Sequence, residues 1–97
     1  MDESIKLSLT AEDYLSLAKK CKKETTNEKR LFYIHKAIET NPNDIYAHLE
    51  LAGCYSEMGE IYLSNYELYK VYFNSDELND ENYFKLFYLL GDNALAL

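Results

Sequence analysis

Two stretches of this chain repeat the same arrangement of side chains 34 residues apart, and that repeat restricts the possible folds more than any other feature. In each, a large residue is followed by Leu three positions on, then a small residue, then a packing residue. The sets are Tyr14, Leu17, Ala18, Cys21 and His48, Leu51, Ala52, Tyr55. A third set, Phe87, Leu90, Gly91, Ala94, follows after a longer interval of 39 residues. Offsets of i, i+3, i+4 and i+7 lie on one face of an α-helix, and the small residue beside Leu lets a second helix come close. The 34-residue frame extends beyond these sets, pairing Leu15 with Leu49, Ile34 with Leu68, Lys36 with Lys70 and Ala37 with Val71. The longer third interval implies an insert of about five residues within Asn74–Asp80.

Helix punctuation agrees with this frame. Thr10 with Asp13, and Thr25 with Glu28, have the spacing of capping boxes, and Leu9 and Tyr14 flank the first as a hydrophobic staple. Asn41-Pro42-Asn43-Asp44 stops one helix and starts another, and Gly59 stands where a second hairpin must turn. With only one Pro and three Gly in the chain, little interrupts the helices. The pattern predicts helices over residues 11–23, 27–40, 44–57, 60–74 and 81–96. Leu17, Ala18, Ile34, Ala37, Leu51, Ala52, Tyr55, Leu68 and Val71 should share the core.

On these residues a family resemblance rests. Ala18, Ala37, Pro42, Leu51, Ala52, Tyr55, Gly59 and Ser64 sit where the tetratricopeptide repeat (TPR) family places its Leu, small, aromatic, turn and proline positions. Ala11–Leu78 resembles two such repeats, and Phe87-Tyr88-Leu89-Leu90-Gly91 looks like the start of a third. Three residues depart from the family pattern: Arg30 replaces a small residue, Asp76 the second proline, and His48 a large aromatic. The resemblance implies an all-α fold, a right-handed solenoid stack of antiparallel helical hairpins with about five helices. It divides the chain into a lead-in at 1–10, repeats at 11–44 and 45–78, and a first or capping helix of a third repeat at 79–97.

In that fold the first helix of each hairpin lines a concave groove, and neighbouring hairpins share one continuous core. Helix geometry then puts Glu12, Leu15, Lys19, Lys22 and Lys23 on the groove side of the first helix. Tyr46, Leu49, Gly53, Ser56 and Glu57 occupy the groove side of the second. The expected function is a scaffold or adaptor that grips a peptide or helix of another protein there. Some family members clamp a terminal carboxylate; Leu15, Lys19 and Glu50 occupy the corresponding positions, and Glu50 has the wrong sign for it. The cluster Lys19, Lys20, Lys22, Lys23 also suits the negative end of a helix dipole. Two other readings stand beside the adaptor. Phe87, Leu90, Ala94 and Leu97 make an apolar terminal helix suited to homodimerisation, or the chain is the first part of a longer array.

Charge and composition exclude other classes. Residues 1–30 hold seven Lys/Arg and six Asp/Glu, a net of +1, while residues 31–97 hold three and eleven, a net of −8. Such acidity disfavours nucleic acid and anionic membrane and allows a basic partner; it also keeps a protein soluble. MDESIKLSL is not a signal peptide, and no apolar run reaches the roughly 18 residues of a membrane span. Two cysteines within helical patterns suit a reducing, cytoplasmic setting. Cys21, His35, His48 and Cys54 match no compact zinc-ligand spacing, and no metal or cofactor is expected. Phosphate loops and nucleophile motifs do not occur, so the chain does not read as an enzyme.

Overall fold

The computed structural model describes residues 9–24 and 27–96, apart from the side chains of Lys22, Lys23, Glu24 and Ser75. Five α-helices follow one another: α1 (Ala11–Glu24), α2 (Asn27–Thr40), α3 (Ile45–Glu57), α4 (Ile61–Tyr72) and α5 (Asp80–Ala96). A 3-10 turn, Ser75–Glu77, lies between the last two. Among the described residues there is no strand. Every helix end falls within two residues of its expected position.

Local chemistry sets those ends. The Thr10 and Asp13 box closes in both directions: Thr10 N–H donates to Asp13 Oδ2 at 3.0 Å and Asp13 N–H to Thr10 Oγ1 at 3.1 Å. Thr25, half of the second expected box, lies outside the described residues. Asp44 caps α3, accepting from the amides of Tyr46 at 3.0 Å and Ala47 at 3.4 Å. After α3, Gly59 adopts φ 81°, Gly59 N–H donates to Ser56 O and Glu60 N–H to Tyr55 O. That pair of bonds is a Schellman stop, and its left-handed residue favours glycine.

Packing makes α3 the centre of the molecule. Helix α1 packs chiefly on α2 and α3 on α4, while α3 also touches α1, α2 and α5. Its buried residues run nearly all round it: Ile45, Ala47, Leu49, Glu50, Leu51, Ala52, Gly53 and Cys54. A helix surrounded on every side has no broad solvated face to keep polar. Ala11, Leu15, Ala37 and Ala47 join α1, α2 and α3, and Ala18, Ile34, Leu51 and Cys54 form a second layer there. Leu49, Ala52, Leu68, Val71, Leu86 and Leu89 join α3, α4 and α5. The helices make an elongated slab of 52 × 30 × 19 Å.

Most of the expected core is buried, but Leu17 and Tyr55 are only partly covered. On α5 the register differs by one residue from the expected signature. Leu86, Leu89 and Asn93 are buried, whereas Phe87, Gly91 and Ala94 are exposed and Leu90 is half-buried. The physical reason is a polar residue with every partner supplied. Asn93 Nδ2 donates to Ser64 Oγ and to Asn65 Oδ1, both at 2.9 Å, and Asn93 Oδ1 accepts from Ser56 Oγ at 2.9 Å. Ser64 Oγ donates onward to the Ala52 carbonyl at 2.8 Å. A satisfied amide can take an interior position that hydrophobic patterning would give to Ala94.

Ala52 lies fully buried where α3, α4 and α5 meet, so Ala52→Leu should overpack that junction. The expected loss is about 1–3 kcal/mol of unfolding free energy, read from urea denaturation with helicity at zero urea unchanged.

Candidate functional site

Arg30, on α2, interrupts the small-residue pattern and is 1% exposed. Its spacing to Ile34 and Ala37 puts it on the buried face of its helix. Arg30 Nη2 donates to Glu50 Oε2 at 3.0 Å, and Lys85 Nζ from α5 donates to Glu50 Oε1 at 3.1 Å. Arg30 Nη1 lies 3.1 Å from Glu57 Oε2, an ion pair poorly aligned as a hydrogen bond, and Nε has no partner. Burial disfavours both buried charges. It pushes the Glu50 carboxyl up, but Lys85 and then Arg30 more than offset this and hold it below the usual carboxylate range. Burial likewise acts to lower the Arg30 pKa, and the charge of Glu50, with smaller help from Glu57, raises it instead. One carboxylate on α3 thereby joins α2 and α5.

This arrangement decides the fate of half the expected groove. Leu49 is 1% exposed, and Gly53 is buried beneath α5. A methyl group on Gly53 would meet Arg30 Nη2 at 3.6 Å and Leu89 Cδ1 at 3.9 Å. Ser56 donates to Asn93, and Glu57 is drawn to Arg30. Leu49 and Gly53 are therefore corrected from groove surface to interior. The stripe that would line a groove is the stripe on which α5 packs, because Lys85 and Leu89 need Glu50 and Leu49 beneath them. Leu15 is also largely core, packed with Ala11, Ala37 and Ala47.

Near the first turns of α3 and α5 an open cleft remains. Glu12, Leu15, Ser16 and Lys19 of α1, Asp44 and Tyr46 at the start of α3, and Asn79 and Asn82 at the start of α5 line about 290 Å³. Four expected groove residues, Glu12, Leu15, Lys19 and Tyr46, are thus brought together, with Leu15 presenting only an edge. The side chains of Lys22 and Lys23 lie outside the described residues. Asn79 Oδ1 accepts from the Asn82 amide and side chain, both at 2.9 Å, which seats α5 at the cleft wall. Tyr46 Oη donates to the Glu77 carbonyl at 3.0 Å and pins the connection that leads into α5. Asn79 and Asn82 were not anticipated; the capping spacing of an Asn three residues before another was the available signal.

A second hollow, of about 370 Å³, lies beside His48, Lys70 and Asn74. Its polar groups are already engaged. His48 Nδ1 faces Glu67 Oε1 at 2.6 Å and Nε2 faces the Pro42 carbonyl at 2.9 Å. Both partners are acceptors, so the ring can donate from both nitrogens at once only as an imidazolium. The Glu67 hydrogen bond, against opposing burial and with the help of Pro42, raises the His48 pKa. Burial pushes Glu67 up, but the hydrogen bond from His48 and the charge of Lys70 leave it lowered overall. Lys70 Nζ reaches Glu67 Oε2 at 3.4 Å. The cleft at Lys19 is the better binding candidate, because it gathers charged and hydrogen-bonding side chains from α1, α3 and α5 in one opening.

Of the residues expected for self-association, Phe87 and Ala94 are exposed, Leu90 is half-buried, and Leu97 lies outside the described residues. Cys21 and Cys54 are buried, and burial pushes the Cys54 thiol up, away from the thiolate form. Among the described residues no group of His, Cys, Asp and Glu could hold a metal ion. No helix among them is long and apolar enough to cross a membrane. No family model matches the chain, nor does any curated protein or solved structure.

Removing one member of a buried pair leaves the other charge without compensation. Glu50→Gln should cost about 3–5 kcal/mol in urea denaturation, and Arg30→Met with Glu50→Leu together should restore most of that loss. Lys85 and Glu57 are both partly exposed, so water can solvate their charges in the double variant.

For His48, whose folded pKa is raised, the linked stability is complete below about pH 6.5 and is lost as pH rises through the folded value. For Glu67, whose pKa is lowered, stability is present above about pH 4.3 and is lost as pH falls through the folded value. Melting temperature should therefore decline on the alkaline side of pH 6.5 in wild type and run flatter there in His48→Gln; equal slopes would contradict the assignment of an imidazolium.

Proposed function

We propose that the chain is a helical-repeat interaction module of the tetratricopeptide kind that binds an extended segment of another protein in the cleft between α1, α3 and α5. The observation that carries this reading is the cleft itself: alternate helices, related by the sequence repeat, contribute Lys19, Tyr46 and Asn82 to one opening. The pairing of α1 with α2 and of α3 with α4 is what a stack of helical hairpins requires. A peptide backbone needs donors and acceptors, and Ser16, Asn79 and Asn82 offer both. Glu12, Asp44 and Lys19 add charges of both signs, a means of selecting direction and sequence. Leu15 and Tyr46 supply modest apolar contact.

The reading carries no catalytic step, cofactor or metal, and no nucleic acid or membrane as partner. The acidic balance of the chain and its two cysteines, both buried within helices, support a cytoplasmic protein. Apolar exposure on α5 keeps self-association as the second reading, with Phe87 its most exposed aromatic among the residues first assigned to it.

Peptides selected on the wild-type chain by phage display provide the test. Lys19→Glu and Asn82→Ala should each weaken their binding by about tenfold or more, equivalent to about 1.4 kcal/mol, with circular dichroism unchanged. Binders indifferent to both substitutions would place the interaction outside the cleft.

A further inference from the structure

The outward face of α5 carries an aromatic surface that the cleft does not use. Phe84, Tyr88 and Leu95 are 74%, 60% and 88% exposed, and Phe87 is half-exposed. At 3.6 residues per turn these side chains and Gly91 project to the same side, opposite Leu86, Leu89 and Asn93. The surface continues onto the end of α4. Phe87 meets Tyr72 edge-on with ring centroids 6.2 Å apart and lies 5.4 Å from the ring of Tyr83, and Tyr72 meets Phe73 at 5.6 Å. Taken at 150–250 Å² per aromatic side chain, the exposed parts of these six rings amount to on the order of 700 Å². That exceeds the patches usual on monomers and approaches one side of a standard protein interface.

We propose that this face docks a cationic amphipathic helix of another protein. A helix fits because the stripe Phe84, Phe87 or Tyr88, Gly91, Leu95 has the i, i+3/i+4, i+7, i+11 spacing of a helix-packing seam. Nothing lies within 4 Å of where a side chain would start at Gly91, so a partner's backbone can approach α5 closely there. The described residues present no sheet edge for an extended strand, whereas a helix brings its own backbone hydrogen bonds.

Charge identifies the partner's sign. From residue 71 onward the chain has five acidic residues, Asp76, Glu77, Asp80, Glu81 and Asp92, and one lysine. All five are exposed, and the lysine, Lys85, is bound to Glu50. Glu81 and Asp92 lie along one flank of the stripe by helical position, and Asp80 stands at its N-terminal end. A second copy would bring these carboxylates against their equivalents, whereas a Lys- or Arg-flanked helix would pair with them while its apolar side covers the rings.

The test uses two fluorescein-labelled synthetic helical peptides of identical pattern, one of Leu and Lys, the other of Leu and Glu. The full chain should bind the Leu/Lys peptide, more weakly as salt is raised, and should not bind the Leu/Glu peptide. Gly91→Gln replaces an exposed helical glycine by a better helix former, so its melting temperature should rise while its affinity falls by about tenfold or more. Phe84→Ser should weaken binding similarly. Tyr62→Ser on α4 and Lys19→Glu in the cleft should not, which separates this surface from the peptide cleft. Several results overturn the proposal: no binding of the Leu/Lys peptide, equal binding of the Leu/Glu peptide, or affinity unchanged in both Gly91→Gln and Phe84→Ser. A concentration-dependent dimer abolished by Phe84→Ser would also overturn it and assign the face to a second copy.

Discussion

Glu50 is the point on which the assembly of this protein turns. Its carboxylate lies inside the molecule and receives Arg30 from α2 and Lys85 from α5. Bringing such charges out of water costs several kcal/mol per ion, so the helices must hold the partners in place for the interior to be tolerated at all. The cluster thus acts less as a source of stability than as a condition on geometry. Helix α5 sits on α3 with Lys85 meeting Glu50. That position brings Leu86 and Leu89 onto Leu49, Ala52, Leu68 and Val71.

The other end of α5 is held by a different device. Asn93 accepts from Ser56 and donates to Ser64 and Asn65, tying α3 and α4 to the last turns of α5. Between the two polar anchors lies the hydrophobic contact, and together they select one rotation of α5. That rotation covers Leu49 and Gly53, and it turns Phe84, Phe87 and Tyr88 outward. The cleft and the aromatic face are consequences of the same choice. The first stays open because Asn79 begins α5 at the cleft wall, the second because no described helix covers that side. Their chemistries differ accordingly: hydrogen-bonding groups with charges of both signs in the cleft, aromatic rings with acidic neighbours on α5.

The helices, their limits and most of the core were legible in the sequence. Capping residues, a glycine turn and the i, i+3, i+4, i+7 spacing act over one or two turns, and the Thr10 box and the Gly59 stop formed as their chemistry implies. The 34-residue spacing likewise anticipated that Ala18 and Ile34, or Ala52 and Leu68, would meet. Four of the ten expected groove residues also line one cleft, since Glu12, Leu15, Lys19 and Tyr46 depend only on the faces of α1 and α3.

What the sequence left open was the placement of α5 and everything that follows from it. Hydrophobic patterning favours Phe87, Leu90 and Ala94 as the inward set, because it counts apolar side chains and ignores the partners a polar one will find. Asn93 reversed that preference through three hydrogen bonds to residues 28 to 37 positions away. Arg30 was legible only as a break in the pattern until Glu50, 20 positions on, supplied its charge partner. Sequence alone determined an all-helical chain with a repeated unit and an acidic later part. Only the tertiary structure decided which polar residues are interior and which aromatics face water, because burial of a polar or charged group depends on partners brought by other helices.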